Sequence, residues 1–146
     1  MPERSLLEGI TVLDLASVGP AVRASRWLAD WGADVVKVGP VPKDAGVQIV
    51  PPAYAYSAQR GMSRVLLDLK SDGGRDAFLH LAAGADVVIE SFRPGVVDRL
   101  GIGFTAVHAV NRGIVYCSTT GFGQTGPRSG WAGHDLHAGG VGRKLV

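Results

Sequence analysis

His134 is the residue in this chain best suited to move a proton. It stands in a Gly133-His134-Asp135 triplet at the far end of a glycine-rich loop. Imidazole titrates near neutral pH, so a positioned histidine can take up or return a proton under working conditions. Taken alone, His134 is equally readable as an acid–base group or as a structural imidazole. Its setting favours chemistry. Ile114–Thr120 reads as an apolar strand that breaks into a loop built on Gly121, Gly123, Gly126 and Pro127. Proteins of α/β class place their sites on loops outside the carboxyl ends of strands.

The remaining reactive side chains suggest little by themselves. His80 and His108 fall within helical patterns with no acid at a useful spacing, and are read as structural. His137 follows His134 by three residues, but no third ligand cluster exists, so no metal site is expected. Cys117, the lone cysteine, can form no internal disulfide and is expected to be a small buried hydrophobe in the last strand. Gly121-Phe122-Gly123-Gln124-Thr125-Gly126 matches the G-x-G-x-x-G dinucleotide fingerprint and follows a strand. That fingerprint needs a helix to open at the glycines and receive the pyrophosphate on its N-terminus. Pro127 follows at once and no helical pattern begins, so a rigid glycine loop is the better reading.

The elements that must position this loop alternate. Ile10–Ala16 is a β-rich run, Ser17–Pro20 turns the chain, and Pro20 suits the first turn of a helix. Ala24, Trp27, Leu28 and Trp31 then form an i, i+3, i+4, i+7 stripe expected to face the core. Asp34–Val38 is a second strand, which completes a βαβ unit of about thirty residues. Arg64–Leu69 reads as the next strand, and a helix follows from a cap at Asp72 to Ala83, with Phe78, Leu81, Ala82 and Ala85 as its stripe. Asp86–Glu90 is a strand and Arg93–Gly95 a turn. Val96–Leu100 is a short helix, and a further helix runs from a cap at Thr105 to Val110. Gly39–Gly61, with four prolines, is expected to be an irregular surface excursion. The fold class is therefore α/β: a Rossmann-like, mostly parallel sheet with helices on both faces.

Composition bounds the partners. At 146 residues, 46% hydrophobic and 19% charged, the chain suits one domain with a largely buried sheet. A net charge of +2, with no basic block, argues against nucleic acid. No apolar run is long enough to span a bilayer, and the start lacks a secretion signal, so a cytoplasmic protein is expected.

Six stretches, in order, carry a family resemblance: GITVLDLA with a following GP, LADWGADVVKV, LLDLKSDGGRD, ADVVIESFRPGVVDRLGIG, IVYCSTTGFGQTGP and GHD. They resemble the N-terminal part of the class III CoA-transferase (CaiB/BaiF) family, which includes the α-methylacyl-CoA racemases. The resemblance spans residues 9 to 135. It implies an acyl-CoA thioester as substrate, with coenzyme A entering as part of it and no prosthetic group. It also implies coenzyme contacts at Leu67, Asp68, Leu69 and Lys70, at Ser91, Phe92 and Arg93, at Arg99, and at Gly133 and Asp135. Guanidinium forks and a lysine ammonium suit phosphate oxygens, which makes Arg93, Arg99 and Lys70 chemically reasonable.

The same resemblance suggests a branch. Its transferases commonly carry tyrosine at the position of His134 and use a downstream aspartate as nucleophile. Its racemases carry Gly-His-Asp, with the histidine and a downstream aspartate exchanging the α-proton on opposite faces. The intervening enolate needs nearby dipoles, which glycine-loop N–H groups could supply. An α-methylacyl-CoA racemase-like activity is therefore expected, with a transferase, or a non-catalytic remnant that binds CoA, as alternatives. One departure is Val38-Gly39-Pro40, where the family carries a charged residue and often a coenzyme-contacting arginine; that contact is expected to be absent or replaced by Lys43, with reduced nucleotide affinity. Both downstream aspartates fall past residue 146, so a truncated single domain is expected, and the family's interlocked homodimer would lack its partner segment.

Overall fold

The computed structural model describes residues 5–17, 19–42 and 59–131. Its elements run β1 (Thr11–Asp14), α1 (Pro20–Asp30), β2 (Asp34–Gly39), β3 (Ser63–Leu66), α2 (Asp72–Ala83), β4 (Val87–Glu90), α3 (Val96–Arg99), α4 (Phe104–Val110) and β5 (Val115–Ser118). All four strand pairings are parallel, in the order β3-β2-β1-β4-β5. The expected parallel α/β sheet is thus present. The chain builds outward from β1 through β2 to β3, then returns to the other side of β1 for β4 and β5. That reversal opens a crevice at the carboxyl ends of β1 and β4, where such sheets hold ligands.

Strand alternation sends side chains to two cores. Leu13, Leu15, Val38 and Val88 pack with Phe78 and Ala82 of α2, Val97 of α3, Ile102 and Val107 of α4. Val12, Val35 and Ile89 point the other way and pack with Ala21 and Val22 of α1, with Leu28 and Ala29 against them. Helices therefore cover both faces, α1 alone on one and α2 to α4 on the other. Asn111 locks the larger layer: its Nδ2 donates to the carbonyls of Ala82 and Ala85, 3.0 and 2.7 Å away, satisfying orphan acceptors where α2 ends.

Several local expectations change. On α1 the buried stripe is Ala21, Val22 and Ser25, whereas Trp27 and Trp31 are 60% and 52% exposed. The aromatic spacing mimicked a core stripe, but the side of α1 that meets the sheet carries Ala21, Val22 and Ser25, with Leu28 and Ala29 beside them. Leu81 of α2 is also exposed, while Phe78, Ala82 and Ala85 are buried. The cap of α2 is Ser71, whose Oγ accepts from the Gly74 N–H at 3.0 Å, and Asp72 is the first helical residue. Helix α4 begins at Phe104 behind Gly103, so Thr105 is inside it and caps nothing. Strand β5 lies at the sheet edge and is mostly exposed, Cys117 with it. An apolar run in sequence looks alike in a central and an edge strand; only the strand order separates them. The excursion after Gly39 lies mainly outside the described residues, as does Lys43.

Candidate functional site

Three loops leave the carboxyl ends of β3, β4 and β5, and each carries part of the expected site. The loop after β3 is short because Asp68 closes it on itself. Asp68 Oδ1 accepts from the Lys70 N–H at 3.1 Å, and the Asp68 carbonyl accepts from Ser71 N and Ser71 Oγ at 3.0 and 2.8 Å. Ser71 then starts α2. Gly74 is required here, since a β-carbon would sit 2.0 Å from the Asp68 carbonyl oxygen. Leu67 and Leu69 turn inward against the core, which leaves Lys70 exposed at the tip. Asp68 thus shapes the turn that presents Lys70.

The loop after β4 is anchored by Glu90, a carboxylate only 2% exposed. Its Oε2 accepts from the Phe92 N–H at 2.7 Å, and its backbone carbonyl accepts from Thr119 N and Oγ1 at 3.0 and 3.1 Å. One residue therefore ties Ser91-Phe92-Arg93 to the end of β5. Phe92 packs against the core and Arg93 is exposed. Gly95 takes a left-handed φ of 78° to start α3, and the Arg99 guanidinium folds back over it, Nη1 lying 3.7 Å from where a Gly95 β-carbon would be. Beside β5, Tyr116 donates its hydroxyl hydrogen to the Ile102 carbonyl at 3.0 Å. Burial, followed by the charges of Glu90 and Asp98, pushes its pKa well above the ordinary tyrosine value.

These loops bring Leu69, Lys70 and Arg99 together. They line one polar hollow of about 320 Å³ with Ser71, Asp72, Arg75 and Leu100. Ser91, Phe92 and Arg93 stand on the loop leading into α3, outside that lining. Leu67 and Asp68 support the hollow from behind through the contacts above. Gly133, His134 and Asp135 lie outside the described residues. The loop that leads to them closes on its own side chains. Phe122 and Trp131 meet edge to face at 5.9 Å, Arg128 lies 5.2 Å over the Trp131 ring, and the Gly126 carbonyl accepts from Ser129. Residues 121–131 contain turns and bends and no helix, so the glycine run offers no helix N-terminus to a pyrophosphate.

Two features escaped sequence reasoning. Arg75 enters the hollow from the first turn of α2; its spacing of five residues from Lys70 carried no recognisable signal. The other is a buried ion pair at the carboxyl ends of the central strands. Lys37 Nζ lies 3.0 Å from Asp14 Oδ2, and Asp14 Oδ1 accepts from the Ala16 N–H at 2.7 Å. Burial lowers the Lys37 pKa, and Asp14 partly offsets that. Lys37 and Asp14 stand directly opposite each other on neighbouring strands, visible only once β1 and β2 are placed in register. Arg64 of β3 lies beside them, its guanidinium against the bare face of Gly39.

A parallel sheet with a crevice at its strand ends and a hollow lined by three cations beside it defines an α/β domain of Rossmann-like build. Family comparison is more specific. A model of CoA-transferase family III matches residues 7–142, and the chain belongs to that family. It is 36% identical over 149 residues to the succinate–glutarate CoA-transferase of Agrobacterium fabrum, covering 92% of this chain and 37% of that protein. Acetyl-CoA:oxalate CoA-transferase of Acetobacter aceti is 34% identical, with 88% of this chain and 34% of that one covered. Among solved structures, a CaiB/BaiF family protein from Brucella suis superposes with a TM-score of 0.85 at 35% identity, over 94% of this chain and 39% of its own. The chain thus spans little more than a third of the length of these relatives. Among the described residues no helix is long and apolar enough to cross a membrane.

Proposed function

We propose that this chain holds the nucleotide end of a coenzyme A thioester, with Lys70 and Arg99 as its phosphate contacts. The observation that carries this is the hollow itself: Lys70, from the loop after β3, and Arg99, at the end of α3, line one polar space. Two guanidinium or ammonium groups across a cavity of that size suit phosphate oxygens, and ion pairing there is charge-assisted. Membership of CoA-transferase family III supports the ligand class. Arg93, on the adjoining loop, and Phe92 complete the coenzyme-facing set, with no prosthetic group required.

The chemistry proposed at the other end of the ligand is α-proton exchange on a 2-methylacyl-CoA, with His134 as one acid–base group. Gly133-His134-Asp135 is the feature that favours it. A base takes the α-proton, the electron pair moves to the thioester oxygen, and a proton returned from the opposite face gives the epimer. The second reading is transfer of CoA between carboxylic acids, favoured by the names of the relatives, which act on succinate and glutarate or on oxalate.

Calorimetric titration with CoA tests the binding proposal. Wild type is expected to bind, and Lys70→Met with Arg99→Met to weaken binding by about a hundredfold, two charge-assisted contacts at roughly 1.5 kcal/mol each. A well-folded double variant that binds as well as wild type removes the proposed site. Deuterium incorporation into a 2-methylacyl-CoA in D2O, lost in His134→Ala, supports exchange. CoA transfer from succinyl-CoA to glutarate without deuterium incorporation supports the second reading instead. Binding with neither chemistry leaves a coenzyme-holding remnant.

A further inference from the structure

Arg75, the third cation in the hollow, is held in a fixed posture. Its stem lies on Gly101, whose φ is +69° and where a β-carbon would come within 2.8 Å of Arg75 Cδ. Its guanidinium is held from both sides. Nη1 lies 3.2 Å from Asp72 Oδ1, while Nε and Nη2 donate to Asp76 Oδ1 at 3.0 and 2.9 Å. Both carboxylates are largely exposed, at 91% and 66%, so water screens them and they orient the cation more than they neutralise it. A guanidinium has five N–H donors. The two hydrogen bonds use Nε–H and one N–H of Nη2, while Asp72 faces Nη1 as an ion partner; the second Nη2 N–H and the Nη1 N–H groups remain as donors for phosphate oxygens.

Charge favours one phosphate over the others. Lys70, Arg75 and Arg99 line the hollow with one carboxylate, Asp72, a surplus of two on the lining itself; Asp76 pairs with Arg75 from outside that lining, where water screens it. A phosphate monoester carries about −1.5 to −2 at neutral pH and presents three acceptor oxygens. Each phosphate of a bridging diphosphate diester carries a single charge and two free oxygens. Coenzyme A has one monoester, on its ribose. Resting on the coenzyme reading above, we infer that Arg75 recognises this ribose phosphate and sets the preference of the hollow for coenzyme A over its dephosphorylated form.

The test compares CoA with 3′-dephospho-CoA on the full 146-residue chain, in wild type and in Arg75→Gln. Wild type should bind CoA about tenfold more tightly or better, the effect of one charge-assisted contact. In Arg75→Gln that ratio should fall to about twofold, through loss of CoA affinity alone, with Arg75→Lys in between. As a check that needs no variant, adenosine 3′,5′-bisphosphate should displace CoA from wild type better than ADP does. An unchanged ratio in folded Arg75→Gln overturns the assignment, and so does an equal loss for both ligands, which marks Arg75 as merely structural. If wild type binds both coenzymes equally, the ribose-phosphate assignment fails while the coenzyme reading stands; if it binds neither, both fail.

Discussion

The two faces of the sheet are finished to different degrees. On the face beneath α2, α3 and α4, side chains from all five strands meet a continuous helical layer, and Phe78, Val88, Ile102 and Val107 are all at 0% exposure. The α1 face is narrower. Helix α1 covers Val12, Val35 and Ile89, but Val115 and Cys117, which pair with Val87 and Ile89 on that same side, stay exposed. That face also carries the buried Asp14–Lys37 pair, and its counterpart buries one carboxylate, Glu90. Each buried charge is matched, by an ion pair on the α1 face and by the Phe92 N–H on the other. The faces differ in how much of each strand the helices cover.

Four measurements would break or sharpen this contrast. The largest effect should come from Phe78→Ala, which opens a cavity beneath the three-helix layer; chemical denaturation should show a loss of about 4 kcal/mol. Asp14→Ala should follow at about 3 kcal/mol, since it leaves the Lys37 ammonium buried without its partner. Pairing Asp14→Leu with Lys37→Met should recover most of that loss, and if it does not, the pair does more than satisfy its own charges.

Third is a pH effect. Burial lowers the folded-state pKa of Lys37 below the ordinary lysine value, so between the two the unfolded chain binds more protons. Stability should therefore gain from this residue as pH rises through that alkaline window, and the gain should vanish in the Asp14→Leu/Lys37→Met chain. Tyr116 acts in the opposite sense, because its raised pKa disfavours ionisation in the folded state and lowers stability above about pH 10. Melting curves of Tyr116→Phe separate the two. The smallest change is expected at β5: Val115→Thr should shift stability by less than about 0.5 kcal/mol. Cys117 should also react with a thiol reagent in the native protein at a rate close to that of an unstructured cysteine. A protected Cys117 would show that something covers this side of β5.

The contrast also explains what could be foreseen. Elements were legible because local signals agreed: Pro20 opens α1, Gly84 ends α2, and Arg93–Gly95 turns the chain before α3. Burial was less so. Trp27 and Trp31 have the spacing of a core stripe, yet Ala21, Val22 and Ser25 are buried in their place, on the side of α1 that meets the sheet. Cys117 looked internal because an edge strand reads like an inner one.

Parallel α/β class, the order of elements and family membership followed from the residues alone, because periodicity, turn chemistry and motif strings are local properties of the chain. Lys70 and Arg99 entered as cationic candidates through the family resemblance. Their convergence on one hollow, the presence of Arg75 beside them, and the pairing of Asp14 with Lys37 were decided by tertiary structure. Each depends on the β3-β2-β1-β4-β5 order, which brings distant residues together across strands and loops. No local spacing records such neighbours, since they are set by which strands pair and by how closely each helix packs on them.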